Sequence, residues 1–260
     1  MHENDRTAAT SDNTAPGGEG GLVNPALSAE LQEKGVVRLR GFLAPAALMR
    51  LKEAAARCFQ SINTGSSIPE HYRFSPSSHS VLLTALLDFG CESEDDLLAP
   101  LASPQLESLF TQVIQRPWHC NLDHSWARKK FAPRHIPDPR YHLQDWHQDG
   151  ALGAHFPLQP GPVIPMTDLL TFWIPLQECG TDSPGLEFVR RRQPALLHFT
   201  ELEDSALHRR FAADEFWAPS IEFGDALVFL NDVLHRTHVH PGMRADRLSI
   251  EYRIFPGSSL

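Results

Sequence analysis

Apolar and polar positions follow two different patterns along the chain. In the first half, apolar residues between 45 and 62 recur every three or four positions, which predicts an amphipathic helix that begins at Pro45. A shorter helix is predicted from Pro25 to Gly35, with Pro in the first turn and Gly as the stop signal. Two further helices are predicted over roughly 80–89 and 105–115.

The pattern changes at Trp118, where short β-rich runs begin to alternate with Pro and Gly turns. This alternation is typical of a barrel or a jelly roll. The predicted strands cover 118–124, 141–149, 168–176, 185–190, 194–199, 219–222, 225–231, 235–240 and 247–255. A helix-rich first half followed by a strand-rich second half predicts an α+β fold, in which helices buttress a β core.

The chain is long enough to bury one large core, since all-β barrels often exceed 200 residues without splitting. Residues 1–22 are polar and contain no cluster of large apolar side chains, so they are predicted to form a disordered N-terminal tail. Residues 23–260 are predicted to form a single domain.

Composition narrows the class of function. The net charge of −9 argues against a nucleic-acid surface, and no apolar run approaches the length of a membrane span. The four cysteines are widely separated and form no Cys-x-x-Cys pair, so neither a structural zinc site nor a disulfide scaffold is predicted. We therefore expect a cytoplasmic protein that binds neither nucleic acid nor a membrane; the sequence does not indicate an oligomeric state.

The first candidate for chemistry is the stretch Trp146-His-Gln-Asp-Gly150. Residues i and i+2 of an extended segment point to the same side, so His147 and Asp149 are predicted to converge. One imidazole and one carboxylate are two members of the facial triad that holds non-haem Fe(II). Gln144 lies near enough in sequence to contact a substrate or co-substrate.

The second candidate region follows the apolar run Ala226–Leu230. His235 comes next, and we prefer it as a third metal ligand over His238 and His240, which are predicted to lie at a rim or surface. Arg247 follows across a turn and shares a strand face with Ser249, so a guanidinium and a hydroxyl could both grip a carboxylate.

Two other arginines compete with Arg247 for that carboxylate. Arg244 is predicted to be solvated in the turn, and Arg253 to be a surface charge. The basic runs Arg128–Lys130 and Arg190–Arg192 are predicted to be solvated faces.

These stretches together resemble the phytanoyl-CoA dioxygenase-like family of Fe(II)- and 2-oxoglutarate-dependent oxygenases. The resemblance spans roughly residues 30–255 and departs from the family in two places. The spacing from His235 to Arg247 is one residue longer than expected, and Arg190-Arg-Arg192-Gln193 replaces a Gly-Ser-His-like turn. The stretches that carry it are 33–42, Trp146–Gly150, Thr171–Leu176, Ser183–Val189 and Gly224–Arg247.

The resemblance implies a double-stranded β-helix, the jelly-roll fold shared with cupins. It implies His147, Asp149 and His235 as iron ligands and Arg247 as the residue that binds the distal carboxylate of 2-oxoglutarate. It also implies that Thr237 and Trp173 lie near that co-substrate, which is consumed with O₂. Because Asp149 is present, no position is left open for a halide, and hydroxylation of an unactivated C–H bond of an acyl-CoA, amino acid or secondary metabolite is favoured, with release of succinate and CO₂. Desaturation, epoxidation and cyclisation by the same chemistry stay open.

Two other functions stay open at this point. A non-catalytic cupin-like binding protein would keep the fold without the chemistry. A metal-dependent jelly-roll enzyme that does not use 2-oxoglutarate would need no carboxylate anchor at Arg247 and Ser249.

Overall fold

The computed structural model describes residues 25–64, 67–136, 139–143, 145–156 and 164–257. The predicted disordered tail, residues 1–22, lies outside this range. The helices are α1 (Pro25–Lys34), α2 (Pro45–Asn63), α3 (Glu94–Leu98), α4 (Pro104–Ile114) and α5 (Asp204–Arg210). The strands are β1 (Val36–Leu39), β2 (Ser80–Leu82), β3 (Trp118–Cys120), β4 (Trp126–Lys130), β5 (Leu170–Pro175), β6 (Gly185–Arg192), β7 (Phe216–Trp217), β8 (Ala226–Leu230), β9 (Val233–His238) and β10 (Arg247–Pro256).

Two antiparallel sheets make up the β core. The larger sheet has the strand order β1-β8-β5-β10-β4-β2, with β3 also paired to β10. The smaller sheet has the order β7-β6-β9. The predicted α+β jelly-roll fold with buttressing N-terminal helices is confirmed, and the sheets do not close into a barrel. The single-domain organisation of residues 23–260 stays a prediction.

The larger sheet is covered on both faces, which explains why β5 and β8 are almost continuously apolar and buried along their whole length. On its outer face, alternate residues such as Phe172, Val228 and Tyr252 pack against the helices. The predicted apolar face of α2 lies in the same cluster. On the inner face, Trp173 and Leu227 face the smaller sheet and contact its side chains.

Several predicted elements were wrong. Of the helix predicted over 80–89, residues 83–89 form a 3-10 helix and residues 80–82 form β2, whereas 194–199 form no strand. Within the described part of 141–149 there is only a single bridge, between His147 and His235. Strand β4 was missed, because its charged residues were taken for a solvated face.

Candidate metal and co-substrate site

The structure brings His147, Asp149 and His235 together between the two sheets. His147 and His235 exchange two backbone hydrogen bonds, both 3.0 Å long, which fix the segment beside β9. Gln148 is extended, with φ −123° and ψ 130°, so His147 and Asp149 point the same way, as predicted. One ligand atom of each residue lies within 4.8 Å of the other two.

Both imidazoles present Nε2 to the common point. The Nδ1 atom of His147 lies 2.7 Å from the Asp145 carbonyl oxygen, and that of His235 lies 3.2 Å from the Val233 carbonyl oxygen. A ring nitrogen beside a carbonyl carries the proton and donates it, which leaves the lone pair on the other nitrogen free to bind a metal. The two Nε2 atoms lie 3.9 and 3.8 Å from Asp149 Oδ1.

Both carboxylate oxygens of Asp149 accept hydrogen bonds from side chains of the larger sheet. The Thr171 hydroxyl donates to Oδ2 at 2.6 Å, and Arg253 Nη2 donates to Oδ1 at 2.9 Å. Arg253 Nη1 also donates to the Thr171 hydroxyl at 2.9 Å, which closes a ring of hydrogen bonds. This ring fixes the rotation of the carboxylate and keeps Oδ1 facing both imidazoles.

The electrostatics keep these groups in the form that binds a cation. Burial, with the neighbouring His235, lowers the pKa of His147 to about 3, and burial also lowers the pKa of His235. Burial alone would raise the pKa of Asp149, but the Arg253 guanidinium and the imidazoles outweigh it and hold that pKa below its usual range. Two neutral imidazoles and one carboxylate are therefore available near neutral pH.

This donor set fits a divalent metal of the first transition series. Metal–nitrogen and metal–oxygen bonds of about 2.1 Å place neighbouring ligand atoms about 3 Å apart, so the three ligand atoms, which lie within 4.8 Å of one another, would move closer together by roughly 1 Å when a metal binds. Two imidazoles and one carboxylate on one side, with the other side open, are typical of non-haem Fe(II) oxygenases.

The predicted carboxylate anchor lies on the inner face of β10. Arg247 is buried, stacks over the Trp173 ring at 5.0 Å, and donates from Nη1 to the carbonyl oxygens of Pro184 and Gly185 at 3.2 and 2.9 Å. Within the described residues, its Nε and the Ser249 hydroxyl are buried without a hydrogen-bond partner. Two unsatisfied donors on residues two positions apart, and therefore on one strand face, fit an anionic ligand.

The other predicted site residues lie at different distances from the triad. Thr237 is buried two residues after His235 on β9, and therefore points the same way. His238 and His240 lie away from the triad, beside Glu187 and the Thr181 carbonyl oxygen respectively. Gln144 lies outside the described residues.

The two competing arginines behave differently. Arg244 is 80% exposed and pairs with Asp182, as predicted for a solvated turn. The prediction that Arg253 is a surface charge was wrong, because the residue is buried against Asp149. The sequence did contain a signal for the burial of Arg253. Residues two or a multiple of two apart on a strand share a face, and Arg253 therefore shares the inner face of β10 with Arg247 and Ser249.

The prediction of two solvated basic runs was also only partly right. Arg128 and Lys130 of β4 lie on the inner face, opposite Ser249 and Arg247 of β10. Arg128 donates to the buried Glu251 at 2.6 Å. In the run Arg190–Arg192, each arginine contacts a carboxylate, those of Glu30, Glu215 and Asp232 respectively.

Comparison with known proteins places the chain in a family. The sequence model of the phytanoyl-CoA dioxygenase family matches residues 31–242. The chain belongs to this family. No curated protein matches the sequence. The membership confirms the interpretation of the chain as an Fe(II)- and 2-oxoglutarate-dependent oxygenase.

Solved structures share the fold at low sequence identity. EctD from S. alaskensis with bound Fe is 12% identical, with a TM-score of 0.65 over 93% of this chain and 80% of that one. AviO1 from Streptomyces viridochromogenes Tue57 is 16% identical, with a TM-score of 0.60 over 93% and 98%. SnoK, a non-haem α-ketoglutarate-dependent carbocyclase from nogalamycin biosynthesis, is 15% identical, with a TM-score of 0.57 over 91% and 88%.

No helix in the described part of the chain is both long enough and apolar enough to cross a membrane.

Proposed function

We propose that this protein hydroxylates an unactivated C–H bond of a small-molecule substrate, with Fe(II) held by His147, Asp149 and His235. The observation that carries this proposal is the triad itself, whose ligand atoms lie within 4.8 Å of one another and of which Asp149 and His235 are buried. Iron bound there would couple the oxidative decarboxylation of 2-oxoglutarate by O₂ to oxidation of the substrate. The protein itself supplies binding, orientation and a site shielded from water.

Arg247 and Ser249 anchor the distal carboxylate of 2-oxoglutarate in this proposal. Their unsatisfied donors and the fixed stacking of Arg247 on Trp173 support a charge-assisted, oriented contact. Thr237, on the same side of β9 as His235, contributes a hydroxyl to the co-substrate. Gln144 remains a proposed substrate contact from the sequence alone.

A small-molecule substrate is supported by what related structures contain. One EctD structure holds 2-oxoglutarate and 5-hydroxyectoine, and one SnoN structure holds Fe³⁺, α-ketoglutarate and a nogalamycin. For this chain, an acyl-CoA, an amino acid and a secondary metabolite are the three substrate classes to test. All four cysteines are free thiols, which supports the reducing, cytoplasmic compartment that we propose.

An anaerobic titration tests the metal and co-substrate together. Fe(II) is added to the metal-free protein, followed by 2-oxoglutarate, and the visible metal-to-ligand charge-transfer band is recorded. We expect the band with the wild-type protein, a much weaker band with Arg247→Ala, and no change with Arg244→Ala, an exposed arginine three residues away.

Other outcomes distinguish the alternatives. Bound iron without the band would favour a metal-dependent enzyme that does not use 2-oxoglutarate. No binding of iron would favour a non-catalytic binding protein. Retained consumption of 2-oxoglutarate by Asp149→Ala would contradict the ligand assignment.

A further inference from the structure

The inner face of the larger sheet ends in a group of aromatic side chains. His119 of β3 lies directly opposite Phe255 of β10, and Trp126 of β4 lies directly opposite Glu251 of β10. Opposite residues of an antiparallel pair point to the same face. His124 lies beside this group, with its ring centre 5.9 Å from that of Phe255. We call the four residues His119, His124, Trp126 and Phe255 the aromatic wall.

The aromatic wall and the proposed carboxylate anchor lie at opposite ends of the metal site. Arg253 donates to Asp149 and shares its strand face with Phe255, two positions further along β10, whereas Arg247 is the first residue of that strand. A strand advances about 3.3 Å per residue, so Phe255 lies about 7 Å beyond Arg253 and Arg247 lies about 20 Å before it. The wall is therefore next to the metal ligands, on the side away from the co-substrate anchor.

The rings of the aromatic wall are not part of the hydrophobic core. Trp126, His124 and Phe255 are partly exposed, and His119 is exposed. Among the described residues, Trp126 and Phe255 belong to none of the clusters of packed apolar side chains, whereas Trp118 on the outer face packs against the largest cluster. The His119 ring stacks on Phe255 at 27°, with 6.1 Å between ring centres. Rings that remain partly exposed next to a metal site fit a ligand-binding surface.

The charged groups beside the aromatic wall balance one another. The Arg128 guanidinium lies 5.8 Å from the centre of the Trp126 ring and donates to Glu251 at 2.6 Å. Arg253 lies 3.0 Å from Glu251 and donates to Asp149 at 2.9 Å. Two guanidinium groups are thus matched by two carboxylates. A phosphate of an acyl-CoA, or the carboxylate of a free amino acid, would lose its hydration there without meeting an unpaired cation among these groups.

We propose that the substrate carries a planar, uncharged conjugated ring, which stacks against Phe255 and Trp126 and directs an attached saturated carbon towards the metal. The inference rests on the proposed function, because that function places the reactive metal at the triad. Aromatic rings gain from stacked or edge-to-face contact in addition to the burial of apolar area. The imidazoles of His119 and His124 add nitrogens that hydrogen-bond hydroxyl or carbonyl groups on the ring. Of the three substrate classes, this selects a secondary metabolite with a planar ring.

Two bicyclic alcohols test the preference for a planar ring. In naphthalene-2-methanol the rings are planar, whereas decahydronaphthalene-2-methanol has the same carbon skeleton in a saturated, puckered form. Binding to the full-length protein is measured by anaerobic isothermal titration calorimetry, both without metal and with Fe(II) and 2-oxoglutarate. We expect the planar alcohol to bind at least about fivefold more tightly, although the saturated alcohol is the more apolar of the two. Naphthalene-2-carboxylate, which adds a negative charge, should bind more weakly than the planar alcohol.

Substitutions locate the bound ring. Phe255→Leu removes the aromatic ring and keeps an apolar side chain, so the planar alcohol should bind about fivefold more weakly and the saturated alcohol should bind as before. Phe199→Leu is the matched control, because Phe199 is 54% exposed and its ring lies beside His198, in the segment between β6 and α5. It should change neither affinity. His119→Ala, at the exposed imidazole that stacks on Phe255, replaces Phe255→Leu if that variant does not fold.

The outcomes separate this inference from the proposed function. Equal or weaker binding of the planar alcohol, no binding of either alcohol, or selectivity that persists in the wall variants would overturn the role of the wall. So would consumption of 2-oxoglutarate that is stimulated by decanoyl-CoA or L-leucine and not by planar compounds. In each case the charge-transfer band with Fe(II) and 2-oxoglutarate would still support the oxygenase. Selective binding that Phe255→Leu removes, in a protein without that band, would leave a ring-binding surface and overturn the proposed function.

Discussion

The hydroxyl of Thr171, which donates to Asp149 and accepts from Arg253, can be removed with almost no change in side-chain shape. Thr171 is fully buried on β5 and donates to Asp149 Oδ2 at 2.6 Å. Thr171→Val replaces this hydroxyl with a methyl group of nearly the same shape. A methyl carbon requires about 3.3 Å from an oxygen, so the Asp149 carboxylate must move by more than half an ångström.

Thr171→Val should reduce both the stability of the protein and its affinity for the metal. A hydrogen bond to a charged acceptor contributes about 1.5–3 kcal/mol, so the free energy of unfolding of the metal-free protein should fall by roughly that amount. Removal of a group that orients a metal ligand typically weakens metal binding 10–100-fold, which corresponds to about 1.4–2.7 kcal/mol. Arg253 still holds the other oxygen of Asp149, so metal binding should be weakened and not abolished.

Metal affinity is measured by anaerobic competition with a chelator, using Co(II), whose visible spectrum reports the ligand geometry. Thr171→Ser should restore wild-type affinity because it keeps the hydroxyl. Thr181→Val is the surface control, since its exposed hydroxyl donates to the exposed Ser220 hydroxyl at 3.2 Å. Affinity of Thr171→Val within twofold of wild type, with an unchanged Co(II) spectrum, would refute the reasoning.

Two further predictions concern pH and stability. Burial lowers the pKa of both ligand imidazoles, that of His147 to about 3, so protons compete poorly with the metal. We therefore expect the metal affinity, measured by metal titration, to be nearly constant between about pH 8 and 5.5. A steady loss of affinity that begins below pH 6.5 would contradict this expectation. Asp225→Ala leaves the nearly buried Arg38 guanidinium unpaired, so it should lower the free energy of unfolding by about 3–5 kcal/mol in chemical denaturation. Asp182→Ala breaks the exposed pair with Arg244 and should lower that free energy by at most about 1 kcal/mol. Equal effects of these two substitutions would show that burial does not control the strength of the pairs.

The spacing of polar residues predicted the candidate ligands for a local reason. His147 and Asp149 point the same way because Gln148 between them is extended. The common direction of these two side chains requires only one extended residue between them. It is therefore present although the longer strand predicted over 141–149 does not form. A strand was predicted over 235–240 after the apolar run that ends at Leu230, and the structure places it at Val233–His238, paired with β6.

The burial of charged side chains was much harder to predict. Arg128 and Lys130 look like solvated residues in sequence, because lysine and arginine are seldom buried without a partner. The carboxylate that pairs with Arg128 belongs to Glu251, 123 positions away. Arg253 was misassigned for the same reason, since its partner Asp149 is 104 positions away.

The sequence by itself determined the helix-then-strand fold class and the convergence of His147 and Asp149, because periodicity and short spacings express backbone geometry over a few residues. The family, and with it His235 as the third ligand, came from the resemblance of several stretches in the right order. The tertiary structure alone decided what surrounds those ligands: the ring that fixes Asp149, the unsatisfied donors of Arg247 and Ser249, and the buried amine of Lys130. The pairing of β10 with β4 and β5 creates these contacts, and the energetic effect of each charge depends on burial and on partners far away in the chain.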